Sequence, residues 1–234
     1  GAMKVGYNWK KGPFEMIDSI GAAEVVKRLQ ALGRSVPEFL QIGADKGSFY
    51  SIEDGEIHRL SPSGEVVQVS RPSETLTVAD LKRRGKPIQR NASASIWDAG
   101  DEVLLVEYHS KMNAMDPLSM EILLTAVDMA KYGDWKGILI ANDSNNFCAG
   151  ANLGLALFGA NLAAWKDVED FIALGQEAYQ ALKYTEVPVV AASTGVCVGG
   201  GAEVLLHCDA VQAHSESYVG LVEVGVGIVP GWGG

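Results

Sequence analysis

Apolar and polar positions along the chain fall into two unlike halves. From residue 12 to residue 33 the apolar positions recur at helical spacing, Pro13 sits at a first-turn position and Gly33 offers a stop, so one helix is predicted there. Residues 48–61 alternate around Asp54-Gly55, a two-residue hairpin signal, and residues 65–69 supply a further strand. The apolar signal then fades over 71–94, which holds Lys82, Arg83, Arg84, Lys86 and Arg90 and reads as a solvated connector, with an anion-binding patch as the alternative. Beyond it, strands and helices alternate. Residues 103–106 form an apolar strand, and Asp116-Pro117 starts a helix in which Met120, Leu123, Leu124, Val127 and Ala130 keep helical spacing up to Gly133. A compact strand at 137–141 leads into a polar turn. A second long helix carries Trp165, Val168, Ile172, Tyr179 and Leu182 on one predicted core face and ends before Pro188 and the strand 189–192.

Two stretches of the second half carry chemistry. Thr194-Gly195-Val196-Cys197-Val198-Gly199-Gly200-Gly201-Ala202-Glu203 reads as strand, tight loop and helix start, and Glu223 lies ahead of Pro230-Gly231-Trp232-Gly233-Gly234. Glycine lacks Cβ, so backbone N–H groups in such a loop can approach a ligand closely, and the first N–H groups of a helix have no intrahelical acceptor. Two carboxylates sharing a pocket push their proton affinities apart, so that one can give a proton while the other takes one. The plainer reading is that the glycines serve close packing and that Glu203 complements a helix terminus.

Phe147-Cys148-Ala149-Gly150-Ala151-Asn152-Leu153, the Gly199-to-Glu203 segment and Glu223 with its Pro-Gly-x-Gly-Gly turn together resemble the crotonase (enoyl-CoA hydratase/isomerase) superfamily over about residues 95–234. The resemblance implies an α/β fold of stacked β-β-α turns forming a spiral, preceded here by a small α+β segment. It implies that the N–H groups of Ala151 and Gly200 form an oxyanion hole for a thioester oxygen and that Glu203 and Glu223 are catalytic. The implied reaction is addition of water to a trans-2-enoyl-CoA to give a 3-hydroxyacyl-CoA, with Lys111, Ala149 and Gly150 beside the coenzyme A. The readings left beside hydration are double-bond isomerisation, which relatives carry out with one of the two glutamates, and a silent acyl-CoA-binding or interdomain module. Crotonases continue into C-terminal helices beyond the position of Gly234, so the resemblance implies a domain lacking those helices, with weak acyl-CoA binding and slow turnover or none. Asn152 stands where many relatives carry an acidic residue.

Residues 6–18, Gly-Tyr-Asn-Trp-Lys-Lys-Gly-Pro-Phe-Glu-Met-Ile-Asp, resemble the C-terminal helical domain of 3-hydroxyacyl-CoA dehydrogenases. The organisation expected is therefore a dehydrogenase remnant over 1–70, a connector over 71–94 and a crotonase-like domain over 95–234, as in a fused fatty-acid β-oxidation protein. No cofactor is expected in this chain. NAD would belong to the dehydrogenase part outside it, because Gly225-Val226-Gly227-Ile228-Val229-Pro230 breaks at the third glycine of a dinucleotide fingerprint.

Composition narrows the remaining classes. A formal charge of −10 over 234 residues argues against nucleic-acid binding, which needs a basic surface. No Gly-x-Ser-x-Gly elbow supports serine hydrolysis, and Cys148, Cys197 and Cys208 have neither metal-ligand spacing nor an even count for a disulfide framework. The histidines read as solvated or satisfied. With no leader-like apolar run near the start and glycine throughout the longest apolar window, a cytoplasmic protein without a membrane span is expected. Acyl-CoA is the expected partner, and a homo-oligomer is compatible with the resemblance.

Overall fold

The computed structural model describes residues 2–72 and 75–234, which divide into two compact units with the boundary between Leu76 and Thr77. In the first unit, α1 (Ala2–Gly6) precedes α2 (Pro13–Ile20), α3 (Ala22–Ala31) and α4 (Glu38–Lys46). The single helix predicted from 12 to 33 is two helices. The apolar periodicity runs on through the break, but Gly21 takes φ +97°, outside the right-handed helical region, and turns the chain. The helix Glu38–Lys46 had no counterpart in the sequence reading.

The hairpin forms as its turn residues dictate. Strands β1 (Tyr50–Glu53) and β2 (Glu56–Leu60) pair antiparallel with Glu53 opposite Glu56, and Asp54 and Gly55 both take positive φ (50° and 81°), as a primed two-residue turn requires. Strand β3 (Val66–Gln68) adds to β2. The Asp18 carboxylate accepts from the N–H groups of Phe49 (2.8 Å) and Tyr50 (3.0 Å), tying α2 to the hairpin. Phe14, Phe39 and Phe49 pack ring against ring over Ala22, Val26, Leu40 and Leu60. Phe49 occupies the space beside Gly43, where an added Cβ would lie 2.4 Å from its ring. Gly43→Ala is therefore expected to cost about 1–3 kcal/mol by overpacking, measured as a lowered midpoint of thermal or urea unfolding for this unit.

The second unit is built on a six-stranded sheet. In spatial order it runs β11 (Ala210–Ala213), β9 (Val189–Ser193), β7 (Gly137–Ala141), β6 (Val103–Tyr108), β5 (Ala94–Asp98), β4 (Gln89–Arg90); the first four are mutually parallel and the last two join antiparallel. A three-stranded parallel sheet, β12 (Tyr218–Gly220), β10 (Val196–Val198), β8 (Asn146–Cys148), continues the chain from the ends of β7 and β9. From β7 onward each strand of the large sheet runs into a strand of the small one, and β8 and β10 then lead into helices. Helix α6 (Pro117–Tyr132) starts as predicted, with the Asp116 carboxylate accepting from Ser119 N–H at 2.9 Å. It packs with α8 (Trp165–Lys183) over the core residues Leu104, Val106, Leu123, Ile138, Ile140 and Ala191. Helix α7 (Leu153–Asn161) contributes no buried residue. No helix among the described residues is long and apolar enough to cross a membrane.

Two sequence expectations change here. Part of the predicted connector is folded structure: α5 (Val78–Arg84) and β4 belong to the second unit, and Thr77 and Asp80 cap α5 reciprocally. Lys82, Arg84, Lys86 and Arg90 are exposed, as the solvated reading expects, but Arg83 pairs with Asp80 and Lys82 with Glu107, whose other oxygen accepts from Trp97 Nε1–H at 3.2 Å. On α8 the predicted core face is rotated. Trp165 and Ile172 are exposed, and the buried face is Phe171, Gly175, Ala178, Tyr179 and Leu182.

Candidate active site

The site is assembled where β8 and β10 end. After β8, Met115 lies alongside the loop: its N–H donates to the Gly150 carbonyl (2.8 Å) and its carbonyl accepts from Asn152 N–H (2.7 Å). This pairing engages the residues on either side of Ala151 and turns the Ala151 N–H the other way. After β10, Gly199 takes φ +55° and ψ −130°, a conformation reserved for glycine, and donates its own N–H to Gly220 (3.0 Å) before α9 (Gly200–Leu206) begins. Gly200 N–H is thus the first of a helix. Neither Ala151 N–H nor Gly200 N–H has an acceptor among the described residues.

Those two amides lie side by side. A Cβ built on Gly200 would sit 3.4 Å from Ala151 N, and one on Gly150 would sit 3.3 Å from Gly200 N and 2.9 Å from the Val198 carbonyl. Gly201 is pressed against Cys148 in the same way, its added Cβ meeting the Cys148 carbonyl at 2.6 Å. The glycines are therefore needed for close approach of the two loops, and that approach is what brings the N–H pair together. Close packing of the glycines and the free approach of the two amides are one feature here, not alternatives.

Glu203, one turn into α9, is 2% exposed, and Glu223 opens a short 3-10 turn at 8% exposed. Glu203 Oε1 accepts from Trp232 N–H (2.7 Å) and Gly234 N–H (3.1 Å). Burial holds the Glu203 carboxyl above the ordinary glutamate range; the two amides and His207 oppose this, and the neighbouring Glu223 charge adds to it. The Glu223 carboxylate faces Gly199, its Oε1 lying 3.4 Å from an added Cβ there, while its Oε2 is buried with no partner among the described residues.

The candidate coenzyme A residues converge on the same loop. Lys111 is exposed on the 3-10 turn Lys111–Asn113, where Met112 and Asn113 both have positive φ. Asn113 holds that turn by donating to Ser144 Oγ (2.9 Å) and the Asn146 carbonyl (2.7 Å), and Met112 accepts from Ala149 N–H (3.3 Å). With its N–H so engaged, Ala149 can offer a ligand only its carbonyl. Gly150 is committed on both sides, its N–H to Cys148 Sγ (3.3 Å) and its carbonyl to Met115, so it shapes the loop at φ +82°. Cys148 and Cys197 are register partners across β8 and β10, and burial pushes both thiols up to about 12, far from a reactive thiolate.

Sequence reasoning missed what packs α9 and the Glu203 carboxylate in place within the second unit. Trp232 fills the space beside both Gly175 and Gly200, with rings of Phe171 and Tyr179 edge-on to it at 5.4 and 5.5 Å, while its backbone N–H holds Glu203. Tyr179, read as plain core, also donates its hydroxyl to the Gly200 carbonyl at 2.6 Å. A signal existed in Gly175, a glycine inside a 19-residue helix, which marks close approach of another group.

Comparison with known proteins gives this geometry its context. The family model described as Enoyl-CoA hydratase/isomerase matches residues 99–234. A probable 3-hydroxyacyl-CoA dehydrogenase of Bacillus subtilis is 38% identical over 235 residues, covering 100% of this chain and 30% of that protein. A putative fatty acid oxidation complex trifunctional enzyme of Rickettsia felis is 32% identical over 241 residues, covering 100% of this chain and 29% of its own length. The chain thus spans under a third of these two relatives. A crotonyl-CoA hydratase of Syntrophomonas wolfei is 35% identical over 139 residues, 57% of this chain and 52% of that one. Among solved structures, the Geobacillus kaustophilus enoyl-CoA hydratase superposes with a TM-score of 0.56 at 23% identity, covering 62% of this chain and 55% of its own, which shows the shared fold. With paired strands, glycine loops and both carboxylates in one place and the family model covering the whole of that region, the chain belongs to the enoyl-CoA hydratase/isomerase family.

Proposed function

We propose that the second unit is an enoyl-CoA hydratase that adds water across the C2–C3 double bond of a trans-2-enoyl-CoA to give a 3-hydroxyacyl-CoA. The observation that carries this reading is the pair of adjacent, unengaged N–H groups of Ala151 and Gly200, flanked by two buried carboxylates. Such donors stabilise an oxygen that gains negative charge, and in the thioester that oxygen becomes enolate-like as the nucleophile reaches C3. Glu203 and Glu223 would hold the water between them. Glu203, ionised, takes its proton as it adds to C3, and Glu223 delivers a proton to C2. The buried Glu223 Oε2, without a partner among the described residues, supports a place for that exchange. Lys111 and the Ala149 carbonyl are the proposed contacts to the polyanionic coenzyme A, and Gly150 acts through loop shape. Acyl-CoA is the only ligand this mechanism requires.

The part of the first unit within residues 1–70 is proposed as belonging to the C-terminal domain of a 3-hydroxyacyl-CoA dehydrogenase, with NAD bound outside this chain. The match of the whole of this chain to 30% of a protein named as such a dehydrogenase supports this, and the hydratase product is that enzyme's substrate class. Incubation of the protein with crotonyl-CoA in 18O-labelled water is expected to yield 3-hydroxybutyryl-CoA carrying one solvent oxygen, read by mass spectrometry. A shifted double bond without label would instead identify an isomerase.

A further inference from the structure

His207 is 7% exposed and lies one turn beyond Glu203, at the C-cap of α9. Its Nδ1 is 2.7 Å from the Glu203 carbonyl; a carbonyl only accepts, so Nδ1 carries the proton and the ring is locked in one orientation. On one side the ring meets Tyr179 at 5.4 Å. On the other it lies against Gly233: an added Cβ there would be 3.1 Å from both Cε1 and Nε2. Gly233, at φ +100°, is the residue between the two whose N–H groups hold Glu203 Oε1.

We propose that His207 is a positioning residue, which braces the Trp232–Gly234 turn so that its two amides stay on the Glu203 carboxylate. The ring is fixed from the helix by the Glu203 main chain and from the turn by contact with Gly233, so it sets the distance between the carboxylate and its donors. The titratable groups facing it are Glu203 from its own helix and the Tyr179 phenol from α8; the turn presents backbone. The catalytic consequence rests on the hydratase reading; the positioning itself does not.

The test uses His207→Phe, which keeps a ring and loses the donor, and His207→Asn, whose Nδ2–H takes the place of Nδ1–H, with Glu203→Gln as reference. Two readouts are taken: kcat and KM for crotonyl-CoA, and the Glu203 ionisation midpoint from 13C-carboxyl resonances, assigned by their loss in Glu203→Gln. His207→Phe, whose ring loses its tether to the Glu203 carbonyl, and His207→Asn, which keeps that tether but has no Cε1 or Nε2 to rest on Gly233, are each expected to lower kcat about tenfold with KM within about twofold. The Glu203 midpoint should rise in His207→Phe, because the amides and the imidazole that favour the carboxylate are displaced or gone. An unmoved midpoint and unchanged kcat in His207→Phe would overturn the proposal. If the wild type shows no hydration, the hydratase reading fails while the midpoint still decides the positioning role. Should His207→Phe not fold, the Glu203 midpoint in His207→Asn decides: raised above the wild-type value it supports the bracing of the turn by the ring, and kept at the wild-type value it overturns it.

Discussion

Gly200→Ala is expected to reduce turnover about a hundredfold or more while KM changes little, since loss of one preorganised oxyanion donor removes about 3 kcal/mol of transition-state stabilisation. The added methyl would lie 2.4 and 2.6 Å from Cζ3 and Cε3 of the Trp232 ring and 3.4 Å from Ala151 N. Trp232 cannot yield cheaply, because Phe171 and Tyr179 hold its ring edge-on and its backbone N–H is bonded to Glu203. The strain therefore passes to the two loops, spreads the N–H pair and loosens Glu203 together. Steady-state kinetics with crotonyl-CoA and a melting curve check this; a wild-type kcat would mean that Gly200 N–H does not bind the reacting oxygen.

Glu203→Gln is expected to lower kcat by about two to four orders of magnitude, the usual size of a general acid–base contribution. The amide oxygen of glutamine can still accept from Trp232 and Gly234 N–H, so the fold should survive a change that removes only the charge and the proton-accepting oxygen. Burial raises the Glu203 carboxyl above the ordinary range, so activity requiring the ionised form should fall, on acidification, at a higher pH than an exposed glutamate would give. Stability runs the opposite way. A carboxyl with a raised folded-state pKa binds more protons folded than unfolded between its ordinary and raised values, so this contribution favours the fold below that window and is lost as pH rises through it. At neutral pH Glu203→Gln should consequently melt no lower than the wild type, and higher if desolvation dominates. A lower midpoint with unchanged kcat would mean that Glu203 serves the fold alone.

How much of this was legible from the sequence depends on whether the cause was local. Asp116-Pro117 fixed a helix start and Asp54-Gly55 a hairpin because each acts through its own backbone angles. The break at Gly21 was not legible, because apolar spacing continues across it and only φ changes. The basic run over 82–90 is largely exposed as read, but its pairing was not legible, because a count of charges does not reveal Glu107, a buried acceptor for Lys82 and for Trp97 Nε1–H on another strand. On α8 the exposed Trp165 and buried Gly175 invert the hydrophobic ranking, since the helix face is chosen by what Trp232 needs to fit. The candidate site was more legible than the fold around it. Ala151, Gly200 and Glu203 sit in short segments whose glycines constrain them locally, whereas Trp232, Tyr179 and His207 reach the site by packing from elsewhere.

The central claim is that Glu203 and Glu223 act together on one enoyl thioester. The most direct measurement is the loss of the conjugated thioester absorbance of crotonyl-CoA with the wild type, each single glutamine variant and the double variant at equal concentration. Hydration by the wild type, with either single change costing nearly as much as both, is the predicted result, because residues that act as a unit are not additive. Hydration that survives in both single variants, or costs that simply add in the double variant, would contradict it.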